Sequence, residues 1–131
     1  MEEVLRFRSP VQMMNRIVKR DTEFRGQSLK AGQFVSVILG SANRDESKFE
    51  HADRFDITRQ TTGQMAFGHG IHHCMGMPLA RMEARIVFEE LSERMPHFHI
   101  TEGRTMEPLS TFVVHGLSKL PLTVKQEAFE A

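Results

Sequence analysis

Phe67-Gly68-His69-Gly70-Ile71-His72-His73-Cys74-Met75-Gly76, running on into Met77-Pro78-Leu79-Ala80-Arg81, is the stretch on which the reading of this chain turns. Its glycines, Gly68, Gly70 and Gly76, let the backbone bend tightly and be approached closely. The chain's single cysteine, Cys74, stands in that loop just ahead of a helix start. The partial positive charge and spare N–H groups of a helix N-terminus favour a thiolate over a thiol. A thiolate is a soft metal ligand. The loop alone leaves three readings open. Cys74 is held ionised for a metal, or it is a buried and inert cysteine, or His69, His72, His73 and Cys74 share a tetrahedral zinc. Against zinc stands the crowding of adjacent ligands around one tetrahedron.

Downstream, Ala80, Ala84, Val87, Leu91 and Met95 recur at spacings of three and four, widened by Leu79, Met82 and Ile86. That period predicts a helix over residues 77–95, with Pro78 in its first turn, a Glu90–Arg94 pair on its surface, and Pro96 as the stop. Upstream, residues 47–65 are polar and irregular. They are too many for an ordinary connection, so an ordered loop pinned by Phe49, Phe55 and Ile57 is expected. The β-branched run 34–39 predicts a strand. Gly40 ends it, and Ser41 is expected to cap a short helix over residues 42–44. Residues 11–24 have β character, with turns at 25–27 and 30–33. Residues 2–7 read as helix with no capping residue before them, ended by Ser9-Pro10. Short strands are expected over residues 98–100, 111–114 and 120–124.

Composition sets the outer limits. The 131 residues suit one domain. Seventeen basic and seventeen acidic residues cancel, which argues against a nucleic-acid module and a polybasic membrane binder. One cysteine excludes an intrachain disulfide. Met1-Glu2-Glu3 is no secretion signal, and the run 34–39 is too short to cross a bilayer. A soluble, cytoplasmic protein is expected, with neither nucleic acid nor membrane as partner.

The stretch FGHGIHHCMGMPLAR resembles the signature FxxGxHxCxG of the cytochrome P-450 family and the LAR opening of the helix that follows it. Other segments match in order. Glu3-Val4-Leu5-Arg6 resembles the family's ExxR helix, and Ser9-Pro10-Val11 through Arg16 its next strand. Ser41-Ala42-Asn43-Arg44-Asp45 and Asp53-Arg54-Phe55 resemble the meander before the cysteine loop. Ala52 stands where many members carry proline. The likeness runs from Glu3 to about Val124 and points to the soluble bacterial branch. It implies an α+β fold, the C-terminal part of the family's architecture: ExxR helix, small mixed sheet, meander, cysteine loop, long proximal helix and short terminal strands. Residues 1–131 are expected as one such region, with the family's distal part absent.

The resemblance also implies roles. Cys74 corresponds to the axial thiolate of a haem b iron, whose electron donation favours O–O cleavage. Phe67 corresponds to the aromatic beside the sulfur, in the turn with Gly68, and Met75 and Gly76 offer it N–H groups. His72 and Arg16 correspond to contacts of the haem propionates. Glu3, Arg6 and Arg54 correspond to a buried charge network bracing the loop, with Arg54 the shared partner. Val11, Met13, Met14 and Val113 correspond to positions lining the pocket of a small apolar substrate. Arg81 corresponds to a proximal position where a ferredoxin or flavodoxin-type donor docks, passing electrons from NAD(P)H. The implied activity is monooxygenation. The other class that the sequence leaves open is a non-catalytic haem-binding fragment.

Overall fold

The structure, a computed structural model, describes residues 1–124. The last seven residues of the single region expected over 1–131 lie outside the described ones. Helix α1 (Glu2–Phe7) opens the chain with acidic residues in its first turn and Arg6 in its last, the order that complements a helix dipole. Met1 stands at its N-cap and gives no side-chain cap.

The expected small sheet is divided into ladders, each of two antiparallel strands. Strand β1 (Met13–Ile17) pairs with β4 (Phe34–Ile38), in a register that sets Arg16 opposite Val35. Strands β2 (Thr22–Phe24) and β3 (Gln27–Leu29) form a hairpin. Strand β5 (Phe98–Ile100) pairs with β8 (Leu122–Val124), and β6 (Glu107–Pro108) with β7 (Leu117–Lys119). The strand expected over residues 111–114 is reduced to a bridge between Val11 and Val114. Thr111 turns its hydroxyl back to the N–H of Val113, which competes with ladder formation.

Strand β4 runs directly into the short helix α2 (Leu39–Ala42). The helix begins earlier than expected, so Ser41 lies inside it and does not cap it. The Gln12 carboxamide folds close over Gly40, so a side chain there would require Gln12 to swing away. The irregular stretch 47–65 is held by local turns. Asp45 and Asp56 each accept from a hydroxyl and an N–H two residues on. Of its three expected anchors only Phe49 is buried; Phe55 and Ile57 are exposed. Phe55 instead meets Phe7 edge to face, with ring centres 5.5 Å apart.

Helix α3 (Met77–Arg94) follows the cysteine loop, with Pro78 in its first turn. Met95 is its C-cap, and the Glu90–Arg94 pair closes at 2.7 Å. Its apolar stripe is not buried within the described residues: Leu79, Met82, Ile86, Val87 and Phe88 are all about half exposed or more. No described helix is long and apolar enough to cross a membrane.

What sits at the centre is polar. The most deeply buried large side chains are Arg6, Asn43 and Ser9, with Glu3 beside them and Phe49, Ala52 and Ala66 as apolar neighbours. A buried charge at such a place must be paired and hydrogen-bonded. That requirement is what ties helix, meander and loop together.

Candidate functional site

Arg6 is fully buried and uses all five of its N–H groups. Nε and Nη2 donate to the two Glu3 oxygens at 2.7 Å each, the bidentate fork that residues three apart on a helix permit. The remaining three go to the carbonyls of Asn43 (2.6 Å), Ala52 (3.0 Å) and Arg54 (3.2 Å). Glu3 also accepts from the Asp56 N–H at 3.0 Å and from Arg59 Nε at 3.3 Å. The Arg6 hydrogen bonds hold its carboxyl below the usual carboxylate range, against the opposing effect of burial.

This corrects the expected network at one residue. Arg54 is exposed and joins through its main-chain carbonyl, which accepts from Arg6 and Arg59. The second guanidinium at Glu3 is that of Arg59. Nothing in the irregular stretch has a period that would have singled Arg59 out.

Asn43 carries the brace to the cysteine loop. Its Nδ2 donates to Ser9 Oγ at 2.7 Å, and its Oδ1 accepts from the Met65 N–H at 2.6 Å. Met65 lies two residues before Phe67. The role of Asn43 was not foreseen; its position after the strand-ending glycine is the signal that was available. Glu2 was missed as well. Its carboxylate accepts from Arg81 Nε at 2.7 Å, from Nη2 at 2.8 Å and from Gln64 at 3.0 Å. That Arg81 fork holds Glu2 below the usual carboxylate range and raises Arg81 above its own.

The loop itself is built from main-chain bonds. Gly68 N–H donates to Met65 O, Cys74 N–H to Phe67 O at 2.9 Å, His73 N–H to Gly70 O, and Met77 N–H to Cys74 O. Gly68 has φ +73°, and a Cβ there would stand 3.2 Å from the His72 carbonyl. Only glycine fits that turn without strain. Cys74 is exposed, so it is no inert core cysteine. Among the described residues no three His, Cys, Asp or Glu side chains converge on a metal, which overturns the shared zinc. Met75 and Gly76 N–H groups find no acceptor among the described residues. The Gly76 backbone passes close to the sulfur, since a Cβ built there lies 3.8 Å from Cys74 Sγ. Phe67 is half-buried, while His72 is exposed.

Arg16 is half-buried on β1, with one N–H to the Asn15 carbonyl and no carboxylate partner among the described residues. Val11 and Val113 lie in the two segments joined by the Val11–Val114 bridge, where the Gln12 N–H donates to Val113 O at 2.8 Å. Met13 is half-buried and Met14 exposed on the same segment.

The sequence model described as Cytochrome P450 matches residues 1–124. YjiB of Bacillus subtilis, another chain carrying that family's name, is 47% identical over 116 residues, covering 88% of this chain and 28% of YjiB. The biotin biosynthesis cytochrome P450 of the same organism is 42% identical over 123 residues, covering 93% of this chain and 31% of its own. Among solved structures, CYP109E1 from Bacillus megaterium in complex with testosterone superposes with a TM-score of 0.89 at 46% identity. That match covers 96% of this chain and 35% of the other. The chain thus spans about a third of the length of the relatives it matches.

Proposed function

The chain belongs to the cytochrome P450 family, and on that premise we propose that Cys74 is the axial thiolate ligand of a haem iron in a soluble monooxygenase. The observation that carries this is the exposed Cys74 sulfur ahead of α3, beside two N–H groups with no acceptor among the described residues. Such donors bond a thiolate and set how strongly it donates to a metal.

The residues fit the group on three further counts. Ile71 and Met75, flanking Cys74, are 97% and 98% exposed, apolar surface suited to a porphyrin face. Arg16 and His72 lack carboxylate partners among the described residues, the complement of two propionates. Phe67 is held beside the cysteine's own backbone by the Cys74 N–H bond to its carbonyl.

When bound, the haem supplies the redox and oxygen-activating chemistry that no side chain here provides. The chain's own residues divide the remaining work. Cys74 holds the thiolate, Met75 and Gly76 hydrogen-bond it, and Gly68 lets the loop turn under it. Arg16 and His72 orient the ring, and Val11, Met13, Met14 and Val113 line the side toward a small apolar substrate. In the proposed reaction one atom of dioxygen would enter that substrate and the other would leave as water, which takes two electrons and two protons. Electrons arrive from NAD(P)H through a ferredoxin or flavodoxin-type protein, in the cytoplasm. This activity is assigned to the proximal segment working with the remaining two thirds that its relatives carry.

The test is the Soret band of the ferrous carbon-monoxide complex of the chain loaded with haem. A red-shifted, thiolate-type band that Cys74→Ser abolishes is expected, because a neutral hydroxyl is a poor donor to iron. An unshifted band in the parent overturns the assignment.

A further inference from the structure

Arg81, half-buried near the start of α3, is engaged by its own chain. It lies 5.1 Å above the centre of the Phe67 ring. Two of its nitrogens are taken by Glu2, whose second oxygen also accepts from Gln64. Phe67 in turn accepts the Cys74 N–H at 2.9 Å. A continuous set of contacts therefore runs from the first turn of α1, through Arg81 at the start of the second turn of α3, to the backbone of the cysteine.

Packing alone does not hold Phe67. It is only half-buried and borders a cleft of about 320 Å³ shared with Glu2, Gln64, His73, Met77 and Arg81. One ring face is covered by a cation, and that cation is fixed by a bidentate carboxylate. A guanidinium over an aromatic face is an attraction in its own right, stronger where water is partly excluded. The fork makes its position definite, which a lone flexible Arg would not be.

We infer that Glu2 and Arg81 are positioning residues for the cysteine loop: Glu2 fixes Arg81 over Phe67, and Phe67 fixes Cys74 through its carbonyl. The assignment of Cys74 as iron ligand gives this positioning its purpose, but the contacts exist without any bound group. The pair acts on the sulfur through Phe67 and touches no reacting atom. Its side-chain contacts are separate from those of the Glu3–Arg6 network, although both start on α1 and both reach the cysteine loop, the latter through Asn43 and Met65.

The test is amide hydrogen exchange on the full chain without haem, read residue by residue by NMR. Global loosening speeds every slow amide together, whereas a local lock speeds only the amides it holds. In Arg81→Gln and in Glu2→Gln, the Cys74 amide should exchange about three- to tenfold faster, while amides in the middle of α3 such as Ile86 keep the parent rate. Arg81→Lys, which keeps the charge and loses the fork, should fall between parent and Arg81→Gln. The double variant should match the singles, because the two side chains work as one unit. An unprotected Cys74 amide in the parent overturns the inference. So does equal acceleration of Cys74 and Ile86, or a Cys74 rate unchanged in all variants. The carbon-monoxide spectrum is independent of these rates, so failure of the lock and failure of the haem assignment are read separately.

Discussion

Replacing Arg6 by lysine removes two of its five buried N–H donors while keeping its positive charge. The native guanidinium serves both Glu3 oxygens and the carbonyls of Asn43, Ala52 and Arg54, with none of its surface exposed. An ammonium has three donors on one compact atom and cannot span acceptors that a planar fork reaches on several sides. The Glu3 carboxylate and the Arg54 carbonyl keep other donors in the Asp56 N–H and Arg59, so the two acceptors left without a donor are the carbonyls of Asn43 and Ala52, which only Arg6 serves among the described residues. Each orphaned buried acceptor costs about 1–3 kcal/mol. Retained charge near Glu3, and Arg59 at 3.3 Å, keep the cost of each of the two near the lower half of that range. The expected loss is about 2–4 kcal/mol, less than or comparable to the roughly 3–5 kcal/mol of breaking a buried pair outright. Folded domains have only about 5–15 kcal/mol in hand, so the effect is large. The assay is urea unfolding followed by far-ultraviolet circular dichroism. With a slope of about 1.5–2 kcal/mol per molar, the midpoint should fall by about 1–2.7 M. A shift below about 0.3 M would show that the five-bond arrangement contributes little, and the account of the core would fail.

Three other outcomes follow from the same geometry. The Glu3 carboxyl is held low by Arg6, so its stabilising contribution is complete above the ordinary carboxylate pKa of about 4.3 and is lost as pH falls through the lower folded value; Glu3→Gln should flatten the acid-side decline in a stability–pH profile, and an unchanged decline would count against the pairing. Gly68→Ala forces a Cβ onto a backbone at φ +73° and to within 3.2 Å of the His72 carbonyl, so it should cost roughly 1–2 kcal/mol or more in urea unfolding. Gly70→Ala, at φ +65° but with open space around its Cβ position, should cost less than Gly68→Ala; the reverse order would contradict the loop geometry.

How far the fold was legible depends on which physical signal a residue leaves in the sequence. Glu3 and Arg6 stand one helical turn apart, so their pairing could be read from spacing, and α3 announced itself through its period and its proline boundaries. Arg54 misled because its contribution is a carbonyl, which every residue possesses. Arg59 left no pattern, and Asn43 left only its place after Gly40 and not its partners, since both act from turns and across long separations in sequence. The 111–114 segment had strand composition but spends its hydrogen-bonding on a local turn, while β6 and β7 are too short, and one of them too rich in proline, to register. The apolar stripe of α3 was read correctly as a stripe; its exposure here depends on what covers it, which composition does not encode. At the cysteine loop the sequence was most informative, because glycine conformations, a lone thiol and a helix start are all local. The contacts of Arg81 with Glu2 and Phe67 were not legible, because a solvated arginine and one held over an aromatic ring look the same as letters.

The central claim is that Cys74 sulfur is the iron ligand. X-ray absorption at the iron edge, on the full chain loaded with haem, tests it without reference to turnover. One sulfur scatterer in the iron's first coordination sphere is expected for the parent, and none for Cys74→Ser, whose iron should instead show only nitrogen and oxygen neighbours. A parent spectrum without sulfur, or a sulfur signal that survives Cys74→Ser, would contradict the account.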